Sequence, residues 1–167
     1  MDVVLSQDCF PQIGGAHSFL YEVYKRWPTT VKWLTQNYDS TESQQAAVVA
    51  FDSQNHGSLR IIRAPVVIED IRLHNVRCIR QFWMLVRRLR RLVGGSEVTL
   101  HCLRAFPEGF AGLLFKVARQ GRAQLVVFAH GEEVLIARSS RQLHFIAKLV
   151  FRFADLTSRI VRVRNRL

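Results

Sequence analysis

Two short stretches combine residue types and spacing suited to chemistry. The first is Gly14-Gly15, at the end of a loop that runs from Gln7 and contains Phe10-Pro11. A helical pattern begins directly after it. Glycine lets a ligand come close to the backbone, and a helix N-terminus offers unpaired N–H donors with a partial positive charge. That pairing suits a phosphate. The same pair of glycines is also ordinary turn chemistry between a strand and a helix, so both readings stand. The second stretch is His130-Gly131-Glu132-Glu133, immediately after the apolar run Leu125-Val126-Val127-Phe128. An imidazole there can donate a hydrogen bond to a substrate hydroxyl or phosphate. The carboxylates could hold sugar hydroxyls, or could be helix-start residues favoured by the dipole.

These stretches need elements to hold them. Asp2 to Ser6 reads as a short buried strand, and His17 to Trp27 carries Phe19, Leu20, Val23, Tyr24 and Trp27 at helical spacing until Pro28 stops it. Val31 to Thr35 and Leu59 to Ile62 read as further strands. Ala46 to Phe51 is a weaker apolar run that fits a strand or a helical turn, within a polar and irregular stretch from Gln36 to His56. Glu69 to Val93 is the longest helical pattern, ended by Gly94-Gly95. On a wheel, Ile79, Phe82, Leu85, Val86, Leu89 and Leu92 fall on one side, with Arg77, Arg80, Arg87, Arg88 and Arg91 opposite. Glu97 to Leu103 reads as a strand, Gly109 to Arg119 as a helix, Gln124 to Ala129 as the clearest buried strand, and Gln142 to Phe153 as a helix. Ala154 to Thr157 starts another strand. Strands alternating with helices predict an α/β, Rossmann-like three-layer domain with a mostly parallel sheet. In such sheets ligands bind beyond the carboxyl ends of the strands, near the switch in strand order. If the first strand and the Leu125–Phe128 strand lie near the centre, both candidate loops open onto one crevice.

Composition narrows the function classes. The chain has 167 residues, suited to one domain with a proper core. No apolar run is long enough to span a bilayer. Met1 to Leu5 has neither a basic n-region nor a long apolar h-region, so a secretion signal is not expected. Cys9, Cys78 and Cys102 are scattered without metal spacing, which fits a reduced, cytoplasmic setting. The dinucleotide glycine fingerprint and the Walker lysine are both missing, which disfavours NAD enzymes and P-loop NTPases. The formal net charge of +11 favours anionic partners without choosing among nucleic acid, phosphorylated substrates and acidic membrane.

The segment Asp8-Cys9-Phe10-Pro11-Gln12-Ile13-Gly14-Gly15-Ala16-His17-Ser18-Phe19-Leu20-Tyr21-Glu22-Val23 resembles the opening of family 4 glycosyltransferases. Leu125-Val126-Val127-Phe128-Ala129-His130-Gly131-Glu132-Glu133 resembles their second hallmark, a strand ending in His-Gly and acidic residues. Val98-Thr99-Leu100-His101-Cys102 looks like the strand that carries a histidine before the next helix. Ala154-Asp155 resembles the Ala-Asp that begins the strand after the His-Gly helix. The four landmarks occur in order over nearly the whole chain.

The resemblance implies the N-terminal, acceptor-side half of a GT-B fold, in which two Rossmann-like domains face a cleft. It implies retaining transfer of a sugar from a nucleotide sugar, UDP- or GDP-linked, to a carbohydrate or lipid-linked acceptor, with no bound metal or other cofactor. Gly14 and Gly15 would lie near the donor diphosphate and the acceptor, and His130 near the transferred sugar. Glu132 and Glu133 follow the motif. The expected domain covers 1–158, with a basic tail at 159–167 that departs from the family pattern. The donor-binding domain with its acidic motif is expected to be missing, through truncation, frameshift or a split enzyme, leaving the chain inactive alone. A missing half or self-association would cover the exposed cleft side.

The arginine face of the long helix has two readings. One is a solvated surface. The other is attachment to an acidic membrane at the cytoplasmic leaflet, where many members of the resembled family meet lipid-linked acceptors. The apolar side of that helix is expected to cover the sheet, leaving only its charges to meet lipid. Nucleic-acid binding through these arginines and Arg159, Arg162, Arg164 and Arg166 is the rival from another class, without a supporting fold signature. An inactive structural remnant is a third. His17, His56, His74 and His144 read as isolated, and His101 as a packed core histidine. Trp27, Trp33 and Trp83 read as core or cleft-rim aromatics.

Overall fold

The computed structural model describes residues 1–7, 9, 15–36, 42–64, 68, 75–129 and 140–159. Six strands form one sheet: β1 (Asp2–Leu5), β2 (Val31–Gln36), β3 (Leu59–Ala64), β4 (Val98–Cys102), β5 (Ala123–Ala129) and β6 (Leu156–Arg159). Among the described residues five helices connect them: α1 (Gly15–Lys25), α2 (Glu42–Asp52), α3 (Val76–Val93), α4 (Phe110–Ala118) and α5 (Arg141–Phe153). The spatial order is β3-β2-β1-β4-β5-β6 and every pairing is parallel. This is the Rossmann-like three-layer arrangement that the alternation of elements predicts.

The apolar runs form strands because parallel strands covered on both faces must be apolar on both faces. Val3, Val4, Val31, Leu100, Leu125 and Val127 are at most 1% exposed. Alternate residues then feed two separate cores. Val4, Val31, Trp33 and Leu59 pack against Leu20, Tyr21 and Tyr24 of α1, with Phe51 of α2 at the edge. Val3, Leu5, Leu34, Leu100, Leu125 and Val127 pack against α3, α4 and α5 on the other face. Crossovers that move one way along the sheet place α1 and α2 on one face. Reversing direction after β3 places the remaining helices on the other.

Several boundaries differ from the sequence reading. The polar stretch before His56 contains α2, a regular helix of 11 residues. Of its apolar residues, Val48 is buried while Val49 is 68% exposed, so it has little amphipathic signal to read. The described part of the long helix begins at Val76, where the Asn75 side chain accepts a hydrogen bond from the Arg77 N–H. Its buried face is Cys78, Phe82, Leu85, Val86, Leu89 and Val93, rotated from the expected one; Ile79 is exposed. The helix ends at Gly94, whose φ of 61° and ψ of −133° lie where only glycine is unstrained. Arg119 closes the turn that follows, donating to the carbonyls of Gly94 and Ser96 at 2.7 Å each. Strand β6 runs to Arg159, so that arginine belongs to the sheet and not to a tail.

Asp155, just before β6, ties three elements together. Its carboxylate receives the Leu125 N–H at 2.6 Å and the Lys116 ammonium at 2.7 Å, and its own N–H donates to Leu125 O at 2.8 Å. A close approach of the α4 backbone to strand side chains completes the layer. A Cβ on Gly112 would lie 2.7 Å from Leu125 Cδ1 and 2.8 Å from Cys102 Sγ, so α4 rests directly on the sheet.

Candidate functional site at the carboxyl edge of the sheet

Strand β1 leads to α1 on one face, and its neighbour β4 leads to α4 on the other. The carboxyl ends of β1 and β4 therefore flank the switch in strand order, where a crevice for ligands forms in open α/β sheets. Strand β5 is the next strand along. Neighbouring strands lie about 4.8 Å apart, so the ends of β1 and β5 stand about 10 Å from one another on the same edge.

The chain leaving β1 is clamped from both sides. The Ser6 N–H donates to Leu34 O at 3.1 Å, and the Gln36 N–H and Thr35 hydroxyl donate to Gln7 O at 3.3 and 3.0 Å. From the other side the Gln7 N–H donates to Glu108 Oε1 at 2.9 Å. Glu108 is 1% exposed and sits in a wide turn, Ala105–Gly109, that follows β4. The Gly109 N–H reaches back to Arg104 O at 2.8 Å and forms that turn. A cavity of about 10 Å³ remains among Leu5, Thr35, Ile68, Pro107 and Glu108, no larger than a single water. These contacts fix the root of the loop that carries the glycine pair.

Gly15 is the first residue of α1 and is exposed, with no atom within 4 Å of where a Cβ would stand. Packing does not demand glycine there. The first turn of α1 has no acidic side chain, so its positive end is not neutralised from within the helix. Gly14, His130, Glu132 and Glu133 lie outside the described residues. Strand β5 ends at Ala129, so the segment bearing His130 departs from the same edge as the segment bearing Gly14 and Gly15. Helix α5 starts at Arg141, with the Ser140 side chain accepting from the Leu143 N–H.

Sequence reasoning passed over Glu108. Its signal was positional: a carboxylate a few residues past a buried strand, on the edge already suspected. Its charge acts on Cys102. Burial first, and then the Glu108 carboxylate, push the Cys102 thiol well above its ordinary range. Cys102 is thus no thiolate nucleophile at neutral pH.

A second polar constellation sits on the α1 face, toward the amino end of β1. His101 Nε2 lies 3.1 Å from Asp2 Oδ1, and His101 Nδ1 lies 3.0 Å from the Tyr24 hydroxyl. Asp2 accepting from Nε2–H leaves Nδ1 to accept from Tyr24, which fits a neutral ring. Burial lowers the His101 pKa, with the Asp2 hydrogen bond and charge opposing. Burial also raises the Tyr24 pKa well above its ordinary value, with the Asp2 charge adding to it. The row has the shape of a catalytic relay but no exposed terminal group. Tyr24 is 1% exposed and Trp27 lies edge-on to His101 at 6.0 Å. It is a satisfied buried network, which accords with reading His101 as a core histidine. His56 is likewise buried, its Nδ1 2.8 Å from the Tyr21 hydroxyl, so it is not isolated. His17 is buried, His144 is exposed on α5, and His74 lies outside the described residues. Trp33 is core and Trp27 half-buried, while Trp83 is exposed on the outer side of α3. Trp83 is therefore not a core residue.

Among the described residues no group of three or more His, Cys, Asp or Glu side chains could hold a metal ion. No described helix is long and apolar enough to cross a membrane. The chain matches no known protein-family model and no curated protein.

Proposed function

We propose that this chain is the acceptor-side domain of a GT-B glycosyltransferase resembling family 4, acting in retaining transfer of a sugar from a nucleotide sugar to a carbohydrate or lipid-linked acceptor. The observation that supports this most is topological. The two motif-bearing segments leave the carboxyl ends of β1 and β5, which flank β4 on one edge of an all-parallel sheet. That is the edge where such sheets take ligands.

In this reading Gly14 and Gly15 let the backbone and the first N–H groups of α1 approach a phosphate or acceptor hydroxyl. His130 donates a hydrogen bond to the sugar or phosphate, and Glu132 and Glu133 accept from sugar hydroxyls. Glu108 contributes by holding the Gln7 backbone, which sets where the glycine loop starts.

Saturation-transfer NMR of the purified chain, with nucleotide sugars and with glycan acceptors in turn, tests the reading. Gly15→Ala adds a methyl where the fold leaves open space, so it should fold normally. The expected result is acceptor binding that Gly15→Ala and His130→Ala each weaken. Binding indifferent to both substitutions, or none of either ligand class, refutes the assignment.

A further inference from the structure

The helices of the two faces differ sharply in charge. Helix α3 carries six arginines, α4 one lysine, and α5 two arginines and a lysine, and none of the three carries an aspartate or glutamate. Helices α1 and α2 on the other face carry Glu22, Glu42 and Asp52 against Lys25 alone. The basic layer is continuous. Phe82 of α3 and Phe110 of α4 meet at 5.1 Å, and the α4 residue Lys116 donates to Phe153 O at the end of α5.

The same layer exposes apolar side chains between its cations. Ile79 and Trp83 on α3 are 55% and 58% exposed, and Phe145 on α5 is 65% exposed. Ile79, Trp83 and Val86 face Phe110, Leu114 and Ala118 across a groove of about 410 Å³ between α3 and α4. Arg80, Arg87 and Arg90 are exposed on α3, while Arg91 borders a separate pocket with Leu34 and Ile62. The apolar residues of α3 are therefore not confined to the sheet, contrary to the expectation that only its charges could meet lipid.

We propose that the α3–α4–α5 layer docks on an anionic lipid bilayer, with Trp83 and Ile79 entering the interface and the α3 arginines meeting headgroup phosphates. Scattered exposed aromatics within a wide cationic face match the apolar-and-anionic chemistry of such a surface. A second copy of this chain does not match it, because two such faces would repel. Duplex nucleic acid would use the arginines and leave Trp83 and Ile79 unburied.

Vesicle sedimentation of the full chain tests the proposal, with phosphatidylcholine vesicles that contain or lack phosphatidylserine. Binding should require phosphatidylserine, weaken with salt, and shift the emission of Trp83 to the blue. Neutralising Arg80, Arg87 and Arg90 to Gln together should weaken it roughly a hundredfold at low salt. Trp83→Ser should weaken it roughly tenfold and leave the salt dependence unchanged. All four positions are exposed, so circular dichroism should report an intact fold. Equal binding to both vesicle types, binding indifferent to Trp83→Ser, or tighter binding to duplex DNA or an acidic helical peptide overturns the proposal. No sugar enters the assay, so its failure leaves the sugar-transfer reading where it stands.

Discussion

Replacing Tyr24 with Phe removes one oxygen from a buried polar row. The ring itself stays, edge-on to Trp33 at 6.1 Å and to His101 at 5.4 Å, so apolar burial hardly changes. What changes is His101 Nδ1, which loses the hydroxyl 3.0 Å away. Flipping the tautomer does not help, since a bare Nε2 would then face the Asp2 carboxylate. An unsatisfied buried acceptor costs about 1–3 kcal/mol. For a chain of this length that lowers Tm by roughly 2 to 12 °C. Urea melts at pH 7.5 measure the loss directly. The same row sets a pH dependence. The His101 pKa is lowered in the fold, so below about pH 6.5 the unfolded chain takes up a proton that the folded chain refuses. The stabilising contribution is therefore fully present above pH 6.5. It is lost as pH falls below that value, at up to about 1.4 kcal/mol per pH unit, until the folded ring protonates. His101→Phe should remove this part of the acid limb. A Tyr24→Phe chain within about 0.3 kcal/mol of the parent would refute the argument, because surface changes of that size need no buried hydrogen bond. Identical acid limbs for the parent and His101→Phe would refute the second half.

Two further outcomes follow from individual contacts. Gly94→Ala meets no neighbouring atom but forces a side chain onto a φ of 61°, and should cost about 1–3 kcal/mol in the same urea melts. Asp155→Asn tests the junction of α4, β5 and β6: burial pushes the carboxyl pKa up, but the Lys116 and Leu125 contacts outweigh this and leave it lowered. Its stability contribution is present above the ordinary carboxylate range and lost as pH falls through the lowered value, so Asp155→Asn should flatten the acid limb below about pH 4, seen in melts at pH 3 to 5.

The sequence showed most of the framework because the strands are buried on both faces and read as unbroken apolar runs. Leu125 to Phe128 and Val3 to Leu5 are examples. It concealed α2, whose single well-buried apolar residue, Val48, creates no periodic stripe. It misjudged α3 for a related reason. Ile79 sits at helical spacing with the core residues yet faces solvent, and spacing alone cannot separate a core face from an exposed apolar one. Of the candidate site, the glycine pair and the histidine turn were visible because motifs are local. The Gln7–Glu108 clamp was not, because it joins residues 101 positions apart that only the β1–β4 pairing brings together. The Asp2–His101–Tyr24 row was hidden in the same way, spanning three elements on one face.

The central claim is that ligands of sugar-transfer chemistry meet this chain at the carboxyl edge of its sheet. Amide chemical-shift mapping of the labelled chain, titrated with nucleotide sugar and with glycan acceptor, tests it most directly. The account predicts shifts gathered at Gln7, Gly14, Gly15, Ala129 and His130, with Thr29, Ser96 and Arg122 at the amino edge unmoved. Shifts gathered at the amino edge, or no shifts with either ligand, would contradict it.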